Sequence, residues 1–194
     1  MKGHLVFLVG LFCMFFSNAQ EEKIEHHALK NSLRVSVGIG HSYIKKGIDG
    51  ENYGISMATF YADGDYWFSN KFAAGLQTEI ILEDFLVEHH SEDEHIQKLE
   101  RSNPIAVVPV MLYTPIKNVM LVGGYGVDFC ENETFTMVRT GIEYGVHFSN
   151  DWEVGTSLIY DFKTDAYDAW VFGVGISKFF NFSSDHAHGL ASAE

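Results

Sequence analysis

In Leu33-Arg34-Val35-Ser36-Val37-Gly38-Ile39-Gly40 the odd positions are large and apolar, and the even positions are Arg, Ser, Gly and Gly. A period of two is the signature of a strand with two unlike faces. The same alternation recurs down the chain. Ala74 to Glu83 sets Leu76, Thr78, Ile80 and Leu82 against Gly75, Gln77, Glu79 and Glu83. Val119 to Phe129 sets Leu121, Tyr125, Val127 and Phe129 against Gly124, Gly126 and Asp128. Thr136 to Phe148 sets Val138, Ile142, Tyr144, Val146 and Phe148 against Arg139, Gly141, Glu143, Gly145 and His147. Trp152 to Phe162 sets Val154, Leu158, Tyr160 and Phe162 against Glu153, Gly155, Ser157 and Asp161. Trp170 to Phe180 alternates Trp170, Phe172, Val174 and Ile176 with Gly173, Gly175 and Ser177. Two further strands, Tyr53 to Phe68 and Ile105 to Tyr113 with Pro109 inside it, are less regular, and the total predicted is eight.

The bulky residues share one face of nearly every strand, while the other face mixes glycine with charge. A soluble sandwich buries its bulky face and has no use for Arg and Glu beside Gly on the other. A transmembrane barrel needs this arrangement: bulky residues toward lipid, small and charged residues in a narrow lumen. Aromatic residues near strand ends, such as Trp67, Phe68, Phe72, Tyr113, Phe148 and Trp152, suit an interfacial girdle. Tight turns at Ser69-Asn70, Ile116-Lys117 and Ser149-Asn150-Asp151 alternate with longer loops at 44–52, 88–103, 130–134 and 163–166. Short turns on one rim and long loops on the other put the short turns in the periplasm. The prediction is an all-β chain: an eight-stranded antiparallel transmembrane β-barrel in up-and-down meander order.

The N-terminus reads as an export signal. Lys2 opens it, Leu5 to Phe16 is an apolar run, and Ser17-Asn18-Ala19 is a small-x-small cleavage site. The organisation that follows is a signal peptide over 1–19, a periplasmic segment over 20–32, the barrel over 33–180 and a tail over 181–194. Cleavage would leave Cys130 as the single cysteine, so no internal disulfide forms. Thirteen basic and 26 acidic residues give a net charge of -13. Nucleic acid is thereby excluded as a partner, because phosphate binding needs basic surface. The same balance argues against docking on anionic lipid headgroups through a basic patch.

The signal, the alternating strands and the Phe68-Ser69-Asn70-Lys71-Phe72 and Ser149-Asn150-Asp151-Trp152 turn segments resemble small bacterial outer-membrane β-barrel proteins. The closing Gly173-Val174-Gly175-Ile176-Ser177-Lys178-Phe179-Phe180 is similar to the strand that the barrel-assembly machinery recognises, with Lys178 where an aromatic residue is usual. The resemblance implies location in the bacterial outer membrane, with membrane lipid and that machinery as partners. It names no extracellular partner.

Three candidate sites follow. The first is a lumen charge network of Arg34, Glu79, Glu83, Asp128, Arg139, Glu143, Glu153 and Asp161. A turn centred on Asn150 would place Arg139 opposite Asp161, Glu143 opposite Ser157 and His147 opposite Glu153. The second is the histidine- and acid-rich stretch from Glu88 to His95, in which His89, His90, Glu92 and His95 offer imidazole and carboxylate to a divalent transition metal, held weakly. No other cofactor is indicated. The third is catalytic: His41 and Ser42 with Glu83 or Asp84 near the rim. Sequence neighbours on a strand point to opposite faces, so His41 and Ser42 cannot share one site, and no G-x-S-x-G elbow exists. The expected role is non-enzymatic, a structural or surface-interaction barrel with a plugged lumen and with loops 44–52 and 88–103 as the contact surface. A small transport or ligand-binding barrel with an acidic lumen is second, and a lipid-modifying enzyme third.

Overall fold

A computed structural model describes residues 29–44, 54–90, 96–130, 133–148, 150–164 and 166–182, without the side chains of 87–99. The signal segment, most of the 20–32 segment and nearly all of the 181–194 tail lie outside the described residues. Ten strands follow one another: β1 Ser32–Ile44, β2 Ile55–Trp67, β3 Phe72–Ile81, β4 Phe85–His90, β5 Ile96–Arg101, β6 Ile105–Ile116, β7 Val119–Phe129, β8 Thr134–His147, β9 Trp152–Lys163 and β10 Ala169–Asn181. Eight of them close a barrel in the order β1-β10-β9-β8-β7-β6-β3-β2, and β4 with β5 forms a separate two-stranded sheet. Every neighbouring pair is antiparallel, and the barrel shuts where β1 meets β10 along Ser32↔Asn181 through Ile44↔Ala169.

The stretch 88–103, expected as a loop, is largely the arm of this extra hairpin. Phe85↔Arg101 at its base leads to His90↔Ile96 toward its tip. The sequence hid it because Glu88-His89-His90 breaks the apolar alternation that marks a strand.

Side chains divide as lipid demands. Val37, Phe60, Leu76, Met111, Leu121, Ile142, Leu158 and Val174, one from each barrel strand, are exposed on the outer wall. Arg34, Asp65, Gln77, Glu79, Arg139, Glu153 and Asp161 are buried inside. A soluble domain does not expose a continuous apolar belt of this kind. In a bilayer the same belt is satisfied by lipid, and closure leaves no strand edge with unpaired backbone groups.

Two of the three tightest turns need left-handed backbone. Asn118 at β6–β7 has φ 67°, and Asn150 and Asp151 at β8–β9 have φ 53° and 63°. Asparagine and aspartate tolerate that conformation better than most residues. At β2–β3, the Ser69 hydroxyl accepts from the Lys71 and Phe72 amides at 3.2 and 2.9 Å.

Candidate functional site

The lumen is filled in three layers. At the short-turn rim, Trp67 is fully buried and packs in an apolar cluster with Ala73, Leu112, Met120 and Phe179, against which Leu29 rests. At the long-loop rim, Ile44, Met57, Ile81, Phe85, Phe135, Tyr167 and Ala169 form a second apolar cluster. The edges of Phe85 and Phe135 meet the Tyr167 ring at 5.7 and 6.5 Å between centroids.

Between these plugs lies charge. Arg34 on β1 is the centre of the lower group. It meets Asp65 at 2.6 Å and Glu143 at 2.8 Å, with Glu153 at 3.6 Å. His147 Nδ1 lies 3.4 Å from Glu153. Arg139 on β8 is the centre of the middle group, with Asp161 at 2.7 Å and Glu79 at 2.9 Å. Gln77 joins the two groups: its amide nitrogen donates to Glu143 at 2.9 Å, and its oxygen accepts from Arg139 at 3.5 Å. Above them, Asp128 takes Arg101 at 2.8 Å and Lys163 at 2.9 Å. Arg101 also donates to the Glu133 carbonyl and lies 4.8 Å over the Phe135 ring. The Tyr167 hydroxyl donates to Asp128 at 3.5 Å. Burial raises the Tyr167 phenol above its ordinary pKa, against the pull of Lys163, and keeps it a donor.

The four cations offset most of the carboxylates around them. Isolated buried charges cost several kcal/mol each, and a paired, hydrogen-bonded set is how a narrow lumen tolerates them. The space left is small. A chamber of about 50 Å³ lies between the lower and middle groups, lined by Arg34, Asp63, Gln77, Arg139, Glu143 and Glu153 among others. That is room for a few waters and no organic ligand.

Of the eight network residues expected, seven sit in the lumen with the partners just given. Glu83 does not. β3 ends at Ile81, so Glu83 has left the pleat and is exposed at the rim, where it accepts from the Ala58 amide at 3.0 Å. The β8–β9 register pairs Arg139 with Asp161, Glu143 with Ser157 and His147 with Glu153. Asp63, Asp65, Gln77, Arg101 and Lys163 belong to the network and were missed. Asp63 and Asp65 lie on β2, whose stretch Ala62-Asp63-Gly64-Asp65 has no bulky outward residue to reveal the alternation. Arg101 and Lys163 end their strands and look like loop charges, yet both are buried.

Ser42 is buried toward the lumen while His41 is exposed on the outer face, and Asp84 is exposed with its carboxylate holding Ser102 at 2.6 Å. The proposed catalytic set is therefore not assembled. His89 and His90 lie on β4, but their side chains, with Glu92 and His95, are outside the described residues.

No family model matches the chain, and no curated protein sequence does. Solved structures do. The crystal structure of Ail, the attachment invasion locus protein of Yersinia pestis, in complex with the heparin analogue sucrose octasulfate, aligns with a TM-score of 0.53 at 16% identity, covering 78% of this chain and 99% of that one. The outer membrane protein OprG from Pseudomonas aeruginosa aligns with a TM-score of 0.51 at 11% identity, covering 78% and 97%. The architecture is that of a small bacterial outer-membrane barrel. Its apolar outer wall fits it to a bilayer, and its long-loop rim is the extracellular one for such barrels.

Lys178 departs from the usual closing strand and has a local explanation. It projects outward near the periplasmic rim, its ammonium donates to the Asn150 carbonyl, and it lies 5.2 Å over the Trp152 ring. The cation reaches past the apolar belt to the turn, as a snorkelling side chain does.

Proposed function

We propose that the protein is a non-conducting surface-interaction barrel that presents the β4–β5 hairpin and its neighbouring loops to a cationic partner outside the cell. One observation carries this: the extracellular mouth is stoppered by the hairpin's own base, with Phe85 in the apolar plug and Arg101 clamped on Asp128. A hairpin anchored in this way is held in place for recognition, and the apolar clusters above and below the charged layer support a lumen closed to solutes. Charge supports the choice of partner. The connections 45–54, 82–104, 130–133 and 164–168 together carry thirteen acids and four bases, and Arg101, one of the four, is withdrawn into the mouth. A polyanion such as the sulfated sugar bound by Ail would be repelled here.

Two measurements test this on the refolded barrel. In planar bilayers it should give no conductance steps. By calorimetry it should bind an oligolysine peptide, more weakly as salt rises, and show no heat with sucrose octasulfate. Replacing Glu83, Asp84, Glu92, Asp93 and Glu94 by Gln or Asn should abolish oligolysine binding. Stable cation-selective steps would instead favour a small transport barrel, a reading that draws on the carboxylate excess around the chamber. Weak zinc binding by His89, His90, Glu92 and His95 is part of the same proposal. Calorimetry of the triple His→Ala variant against the native barrel decides it.

A further inference from the structure

The net charge of -13 conceals a sharp partition along the barrel axis. Among the described residues, every acid except Asp151 lies in the hairpin, the extracellular connections or the lumen. At the periplasmic rim the sign reverses. Lys30 stands before β1, Lys71 is in the β2–β3 turn, Lys117 is in the β6–β7 turn, and Lys178 on β10 folds onto the β8–β9 turn. Each of the four vertices of this rim thus carries a lysine. Asp151 is the single outward-facing acid at this level among the described residues, and it lies 4.0 Å from Lys178. Lys30, Lys71 and Lys117 are exposed, and their ammonium groups make no ion pair among the described residues.

The apolar surface just above this rim is aromatic. Phe72 stacks on Tyr113 at 4.9 Å and on Phe68 at 6.5 Å, and Trp152 lies under Lys178. Aromatic side chains settle at the headgroup boundary of a bilayer. Lysines one turn beyond them stand at the level of lipid phosphates, where each adds electrostatic attraction to anionic lipid. Composition alone speaks against a basic patch for lipid, but topology has sorted the charges that composition pools.

We propose that the periplasmic rim is a binding surface for anionic phospholipid headgroups, with Lys30, Lys71, Lys117 and Lys178 as phosphate contacts and the Phe68–Phe72–Tyr113 and Trp152 aromatics fixing the depth. The acidic extracellular rim repels the same lipid. The barrel is therefore oriented by charge as well as held by its apolar belt. This proposal concerns the rim opposite to the hairpin and stands or falls independently of the partner assigned above.

Two tryptophans serve as reporters. Trp152 marks the periplasmic rim and Trp170 the extracellular one, both exposed to lipid, while Trp67 is buried in the lumen. Trp170→Phe leaves Trp152 as the lipid-facing reporter, and Trp152→Phe leaves Trp170. Full-length barrel is refolded into vesicles of phosphatidylcholine with phosphatidylglycerol, with acyl-brominated quencher on one lipid or the other, and folding is checked by the gel shift of unheated samples. At low salt, quenching at Trp152 should favour phosphatidylglycerol by roughly two- to fivefold, the scale of a lysine near a charged membrane surface. The preference should vanish at high salt and in the Lys30→Gln, Lys71→Gln, Lys117→Gln variant, and return in the corresponding Lys→Arg variant. Trp170 should show no preference or exclusion. The stretch from Glu21 to Glu25 is present in every variant, so the comparison is internal. Equal quenching by the two lipids at Trp152, a preference that survives the Lys→Gln changes, or the same preference at Trp170 would each overturn the proposal.

Discussion

Arg139 and Asp161 face each other across β8 and β9, and the guanidinium meets the carboxylate through two hydrogen bonds of 2.8 and 2.7 Å. This bidentate pair is at the middle of the lumen, with Glu79 on the same guanidinium nitrogen at 2.9 Å. Removing the cation strands two buried acids. We expect Arg139→Ala to lower stability by about 3–5 kcal/mol, the usual cost of breaking a buried pair from one side. Leu158→Ala on the lipid face should cost less, about 1–2 kcal/mol, since only contact with lipid is lost. Denaturant unfolding of both variants in the same vesicles makes the comparison. A larger loss for Leu158→Ala would mean that the network contributes little.

Asp128 ties the extracellular hairpin to the barrel wall. It holds Arg101 from the hairpin base and Lys163 from β9. In Asp128→Ala both cations lose their carboxylate, and the hairpin base loses its clamp while its strand pairing is untouched. The expected outcome is selective: protease cleavage within 85–101 should become several times faster, with the rest of the barrel still resistant. Local opening of this kind has its own free energy, separate from global unfolding. Uniform acceleration of cleavage along the chain would show that Asp128 supports the barrel and not the hairpin in particular.

The strands that the sequence reveals are those with unlike faces. On β8 and β9, Val138, Ile142, Val154 and Leu158 face out while Arg139, Glu143, Glu153 and Asp161 face in, so both the strands and their register were legible. On β6 the inward residues Ala106, Val108, Val110 and Leu112 are as apolar as the outward Ile105 and Met111. Alternation there carries no signal, and the lumen's apolar wall went unseen. Arg101 is hidden for a different reason. Its role depends on the base of the hairpin meeting Asp128 of β7 at the mouth, a tertiary fact that no local pattern encodes.

Gln77 is the neutral link between two charged groups. Its side chain gives to Glu143 through one end of the amide and accepts from Arg139 through the other. Gln77→Leu keeps the volume and removes both functions. The expected loss is about 1–3 kcal/mol, from the Glu143 oxygen left short of a donor. Gln77→Glu should cost more than Gln77→Leu at neutral pH, because a second carboxylate then faces Glu143. Unfolding midpoints of the two variants test the order, and equal losses would show that Gln77 is only filling space.

Tyr61 lies in the lumen against glycines from two other strands. A Cβ added to Gly38 on β1 would stand 2.2 Å from the Tyr61 Cζ, and one added to Gly175 on β10 would stand 2.2 Å from its hydroxyl. Gly38 and Gly175 are partners on the β1–β10 seam. The ring from β2 therefore occupies space at the joint where the barrel closes, and the bare backbones are what admit it. Gly38→Ala should destabilise by about 1–3 kcal/mol through overpacking. Part of that strain comes from the ring and part from the Val174 carbonyl oxygen, 2.5 Å from the same added carbon. Tyr61→Leu removes the first and leaves the second. Combining Gly38→Ala with Tyr61→Leu should then cost less than the two changes summed, with a coupling of about 0.5–2 kcal/mol, and should still fall short of full recovery. Strict additivity in unfolding free energy would mean that ring and glycine do not compete for the same space. Complete recovery would mean that the seam backbone can shift to clear the Val174 oxygen unaided.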